Sequence, residues 1–258
     1  MSWLIGSILV TWGVMSLLWL HQLKTGNATW VDVAWAFGIG AFASVLAVHS
    51  DGDPYRRVWI ALIVGAWSMR LGGHLFLDRV RSGVEDGRYA RLRKRWGPGV
   101  FYAFYMAQAA LIVLLPFSVW GALRNPAAFP SLSDAFGTGF WFLAWVGESV
   151  ADRQLARFRA DPLNRGKTCR SGLWRYSRHP NYFFELLIWC SYIPFSAGSG
   201  LIAWALLGPT LLALLLTRVS GIPPTEEQAL SSRGDDYRSY QRSTSALIPW
   251  FPKKENLP

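Results

Sequence analysis

Seven stretches of the chain run apolar for long enough to cross a bilayer, and the polar residues collect in clusters between them. The stretches are 2–20, 33–49, 58–77, 100–123, 136–150, 181–197 and 200–217. Most are close to the roughly 20 residues that a helix needs to span the hydrocarbon core. The fifth is shorter and must borrow length from its polar flanks. The first lacks a basic segment ahead of it and a small-residue cleavage site behind it, so it is expected to be a span and not a signal peptide. The pattern predicts an all-α membrane protein, a bundle of seven transmembrane helices forming a single integral domain over residues 1–258.

Charge then orients the bundle. Lys and Arg number seven in 78–99, seven in 157–180 and six in 218–258, which is 20 of the 26 in the chain. All three segments follow odd-numbered spans. Because positive charge is retained on the cytoplasmic side, the N-terminus is expected outside and the C-terminus in the cytoplasm. Composition agrees with this picture: 52% hydrophobic, 15% aromatic, only 16% charged, with 15 Trp and a net charge of +10. Soluble domains carry about 25% charged residues. These figures argue against disorder or a nucleic-acid-binding arm, and two cysteines make neither a disulfide framework nor a four-cysteine metal site. No metal is expected.

Positive-inside bias alone accounts for basic loops, but not for the particular residues around them. Glu148, Asp152 and Arg159 share one helical face; Asp152 either pairs with Arg157 or Arg159 at the helix exit or is presented to a polar ligand. In 167–189, Gly172 marks a turn and Pro180 suits the first turn of a helix, so the sixth helix is expected to start near 177–180. Its free backbone donors would lie beside Arg178 and His179, with Lys167 and Arg170 nearby, a setting suited to phosphate. Asn181, Glu185 and Trp189 form a polar-then-aromatic stripe into the membrane, where an ionisable group is expensive and usually functional. In the first half, Asp32 stands at the mouth of span two, and Arg70, His74 and Asp78 line one face of span three, with Arg70–Asp78 or Arg79–Asp78 pairing as the plainer alternative. In the tail, Trp250 and Phe251 read as interfacial anchors. Gly38 and Gly40 lie within a span and read as helix packing.

The run Gly172-Leu-Trp…Ser-Arg-His-Pro-Asn-Tyr-Phe…Glu185…Trp189, with the closing Tyr237…Tyr240…Thr244-Ser-Ala-Leu-Ile-Pro, resembles the C-terminal signature of the steroid 5α-reductase family. Trp30-Val-Asp-Val-Ala-Trp and Glu148…Ala-Asp-Arg-Gln look like its bacterial branch, the DUF1295-type membrane reductases. The resemblance is strong over 140–252 and weaker over the first hundred residues. It implies an NADPH-dependent enzyme that reduces the C4–C5 double bond of a 3-oxo-Δ4 steroid or a similar enone lipid, in a bacterial inner membrane with the cofactor on the cytoplasmic face. It implies substrate-side helices in 1–123 and a cofactor-binding part in 136–258, with membrane lipids around them and no obligate protein partner.

By that analogy Asp152, Arg159, Arg170, Asn181, Tyr182 and Glu185 fall on cofactor-contacting positions. Arg70, Arg157, Asn164, Lys167, Arg178, His179 and Tyr240 complete the candidate NADPH set, and Trp35, His74 and Trp189 the substrate wall. The eukaryotic relatives use a Gln-Glu pair and a Tyr at the carbonyl; here the corresponding candidates are Asp32, as a protonated acid, and Trp67. Isoprenylcysteine carboxyl methyltransferases share part of the Arg-His-Pro-Asn-Tyr region, so an S-adenosylmethionine-dependent methyltransferase is the alternative reading. The many cations beside 181–185 favour the cofactor that carries phosphates.

Overall fold

The computed structural model describes residues 2–81, 83, 85 and 87–253, Arg88 by its backbone alone. Lys254, counted above among the basic residues of the tail, lies outside the described residues. In chain order the α-helices are α1 (Ser2–Thr25), α2 (Trp30–Val48), α3 (Pro54–Leu75), α4 (Gly87–Arg95), α5 (Pro98–Leu114), α6 (Trp120–Leu123), α7 (Leu132–Ala160), α8 (Pro180–Cys190), α9 (Tyr192–Phe195), α10 (Ile202–Ala205), α11 (Leu207–Leu214), α12 (Ile222–Arg233) and α13 (Asp235–Ser243). Among the described residues there is no strand, only an isolated bridge between Ser177 and Ser245.

Five segments are long and apolar enough to cross a membrane: Ser2–Thr25, Trp30–Val48, Pro54–Val80, Pro98–Leu123 and Ile202–Arg233. The protein is therefore a multi-pass membrane protein. The other two expected spans take different forms. Stretch 136–150 is the middle of α7, which continues to 29 residues because its polar ends are helical too. Stretch 181–197 breaks at Ser191 into α8, of 11 residues, and the four-residue α9. At 1.5 Å per residue α8 rises only about 16 Å, well short of the ~30 Å hydrocarbon core.

The chain forms two compact units, residues 1–131 with 195–208, and residues 132–194 with 209–258. In the first, α2 lies closest to α3, and glycine makes that approach possible: a Cβ on Gly40 would fall 2.4 Å from Ser68 Oγ, and one on Gly72 would fall 2.7 Å from the Phe37 ring. Ser68 Oγ donates to the Ala36 carbonyl at 2.9 Å, so its hydroxyl is satisfied in the apolar seam. The start of α3 is set by Asp53, whose carboxylate accepts from the N–H groups of Tyr55 and Arg56, an N-cap followed by Pro at the first helical position. In contrast, α1 buries only Met15 and Gln22. The second unit is built on α7 against α8, with α12, α13 and the tail. A Cβ on Gly147 would lie 2.4 Å from the Phe184 ring, which records how closely α7 and α8 approach.

Candidate functional site

The second unit places the expected turn and helix start where the sequence puts them. Gly172 has φ +59, and a side chain there would meet Gln154 at 2.4 Å; the Gln154 side-chain carbonyl accepts from Leu173 N at 2.9 Å. Trp174 is buried and donates its Nε1–H to the Ala151 carbonyl at 2.9 Å. His179 is the N-cap residue of α8 and Pro180 opens the helix.

The tail runs back along this turn. Arg178 N donates to Ser245 O at 2.8 Å, Trp250 N to Tyr176 O at 2.9 Å, and Ser177 Oγ to Leu247 O at 2.8 Å. Tyr240, 2% exposed, donates to the carbonyls of Trp174 and Ser177. Burial pushes its phenol well above the ordinary tyrosine range, reinforced by the neighbouring Tyr237, and it stays a donor. Arg170 stacks over the Tyr240 ring at 5.6 Å and binds Asp236 and Ser239. Arg178 donates to Glu226 at 2.7 Å and to the carbonyls of Gln241 and Thr244. His179 Nε2 lies 3.2 Å from the same Glu226 oxygen and its ring stacks on Tyr182 at 5.2 Å. Arg170, Arg178 and Tyr240, expected to contact a cofactor, thus direct these polar atoms into protein and lock the loop that carries α8. Glu226, which the sequence reading passed over, is the hub of that lock.

At the start of α8, Asn181 Nδ2 reaches Asp152 Oδ1 at 3.4 Å. The Asn181 Oδ1 is buried with no hydrogen-bond partner. A buried acceptor without a donor is costly in a finished structure, so this atom fits a ligand that brings an N–H or O–H. Stepping one turn into the helices, Glu148 on α7 is 4% exposed and Glu185 on α8 is 8% exposed; Glu185 accepts from Trp189 Nε1 at 2.9 Å. Tyr182 Oη lies 3.4 Å from Thr225 Oγ1. Asn164 donates to the Phe158 carbonyl at 3.0 Å, while Arg157, Arg159 and Lys167 are exposed to either side of it. Asp152 thus meets Asn181 and Glu185 meets Trp189, while Tyr182 faces His179 and Thr225.

The first unit holds the remaining candidates, Asp32, Trp35, Trp67, Arg70 and His74. Asp32, in the first turn of α2, accepts hydrogen bonds from the Arg79 guanidinium and the Tyr89 phenol. Arg79 pairs with Asp32. Trp67 is 1% exposed and meets the Trp35 ring edge-on at 6.3 Å. A phenol that the sequence does not single out, Tyr89 on α4, lies against Asp32. No local signal marks it, because Gly87-Arg-Tyr-Ala-Arg-Leu-Arg-Lys-Arg95 reads as a basic loop. Trp35 Nε1 is buried with no hydrogen-bond partner, one turn along α2 from Asp32. Arg70 and His74 are half-buried on α3. Among the described residues no cluster of His, Cys, Asp and Glu has a metal-binding arrangement.

A family model described as a protein of unknown function (DUF1295) matches residues 18–244. An uncharacterized protein of Schizosaccharomyces pombe, C594.04c, is 29% identical over 285 residues, covering 96% of this chain and 78% of its own length. No solved structure matches the chain.

Proposed function

The chain belongs to the DUF1295 family, and from that premise we propose that it is an NADPH-dependent reductase of a membrane-dissolved enone, a 3-oxo-Δ4 steroid or a similar lipid. Two observations, one in each unit, support the reading: Asn181 at the N-terminus of α8 has a buried Oδ1 with no partner, and Asp32, Tyr89 and Arg79 form a carboxylate–phenol–guanidinium group. The first suits a cofactor with amide and hydroxyl donors, and the second suits a carbonyl oxygen that gains charge.

The residues fit the cofactor as a set. Asp152 can accept from ribose hydroxyls, Asn181 can meet an amide, and the exposed Arg157, Arg159 and Lys167 can bind phosphates. When bound, NADPH supplies a hydride to the β-carbon of the enone. Charge then moves onto the carbonyl oxygen, and fixed donors aimed at such an oxygen typically contribute about 3–4 kcal/mol of barrier lowering. Tyr89 turns its hydrogen bond from Asp32 to that oxygen, while Arg79 keeps the Asp32 carboxylate compensated. Protonation of the α-carbon completes the reduction. In this reading the centre of α7 and helices α8–α9 complete seven crossings, with the N-terminus outside and the three basic segments cytoplasmic.

Thermal unfolding of the detergent-solubilised protein tests it. NADPH should raise the transition and S-adenosylmethionine should not; ligand at about a hundred times its Kd contributes roughly 2.7 kcal/mol. Asn181→Leu should diminish the NADPH response. A response to S-adenosylmethionine alone would support the methyltransferase reading instead, and no response to either would remove the enzyme reading.

A further inference from the structure

The helix that delivers Tyr89 is held by contacts outside itself. With nine residues, α4 is too short to be stable alone. Tyr89 is the one buried residue among its described side chains. Its ring packs against Phe104 at 5.8 Å, and its hydroxyl donates to Asp32. A ring contact by itself does not fix the direction of a phenol O–H to hydrogen-bond tolerance.

One turn further along α4, on the same face, is Arg93. Its guanidinium pairs with Glu85 and also donates to Gln22 Oε1 at 3.3 Å. The other Glu85 oxygen accepts from the backbone N–H of Ala28 at 2.7 Å, in the turn that joins α1 to α2. Gln22 is 2% exposed, and it is the only polar side chain that α1 buries. A helix that buries little else thus sinks one amide at the point where Arg93 arrives. The Ala28 anchor lies four residues ahead of Asp32, so the clamp grips the backbone that leads into the carboxylate and the helix that carries the phenol.

We propose that Glu85, Arg93 and Gln22 form a positioning clamp that holds the Tyr89 hydroxyl on Asp32, so that the polar group at the carbonyl site is assembled before substrate arrives. The clamp touches neither reacting partner; it acts through Tyr89. The proposal rests on the reductase reading for its purpose, but not for its geometry, and the two can fail separately.

The test uses the full-length protein in detergent with 3-fluorotyrosine placed at position 89 and read by fluorine NMR. An Asp32→Asn protein gives the reference resonance for a phenol that has lost its carboxylate. Arg93→Met and Glu85→Gln should move the wild-type resonance toward that reference. Arg93→Lys should restore it in part, and the reversed pair Glu85→Arg with Arg93→Glu in larger part. Arg93→Lys also guards against a methionine variant that fails to fold. Wild-type-like resonances in folded Arg93→Met or Glu85→Gln protein would overturn the clamp, whatever the catalytic outcome. With an enone and NADPH, Arg93→Met should lower kcat by roughly tenfold to a hundredfold, as a displaced reacting group does, and leave NADPH affinity unchanged. If the wild type reduces no enone, the reductase reading falls while the fluorine result still decides the clamp.

Discussion

Tyr240 shows what one buried hydroxyl does in this chain. Its O–H joins two carbonyls on either side of the turn that precedes α8, Trp174 and Ser177. Burial disfavours the phenolate, so the folded-state pKa lies above that of an unfolded tyrosine. The stabilisation is then fully present below about pH 10 and is lost as the pH rises beyond it, because only the unfolded chain releases the proton. Tyr240→Phe leaves both carbonyls without this donor and should destabilise the second unit by about 1–3 kcal/mol. Thermal unfolding should show the wild type converging on the variant as the pH climbs past ~10. A variant as stable as wild type at neutral pH would remove Tyr240 from the lock.

At the scale of elements, the α2–α3 seam depends on glycines at two close approaches. Gly40→Ala puts a Cβ against both Ser68 Oγ and Ser68 Cβ, at 2.4 and 2.6 Å. Overpacking of this kind typically costs about 1–3 kcal/mol. Unfolding of the solubilised protein should occur at lower temperature in Gly40→Ala, and adding Ser68→Gly should recover part of the loss. The elements differ in how far the sequence announces them. The start of α8 is legible because Gly172 and Pro180 act locally, through φ and through a missing N–H. The Gly40 approach is legible from a small residue within an apolar run. The break at Ser191 is not, since hydropathy does not register a change in backbone path inside an apolar stretch. The start of α7 is also missed, because the polar residues of 132–135 look like loop, whereas its C-terminal extension is legible from the helical face that Glu148, Asp152 and Arg159 share. The partnership of Tyr89 with Asp32 joins positions 57 apart in the chain, and no local pattern encodes such a contact. Glu226 escaped for the same reason: its partners Arg178 and His179 lie on a loop nearly fifty residues earlier.

For the whole molecule, a basic, strongly apolar chain resolves into two units with different polar equipment. The first carries a carboxylate, a phenol and a guanidinium at the foot of apolar helices. The second carries a tail-locked loop, a buried amide acceptor and buried carboxylates. In the proposed reductase the first would stabilise charge on a carbonyl and the second would hold a hydride donor. The central claim is that hydride passes from a nicotinamide to an enone. Its most direct test is to incubate the purified protein with a 3-oxo-Δ4 steroid and NADPH doubly deuterated at C4 of the nicotinamide, and to locate the label in the product by mass spectrometry and NMR. The account predicts a saturated ketone carrying one deuterium at C5, the carbon β to the carbonyl. Recovery of unchanged enone from NADPH-stabilised protein across a panel of 3-oxo-Δ4 steroids and related enone lipids, or a reduced product without deuterium at that carbon, would contradict it.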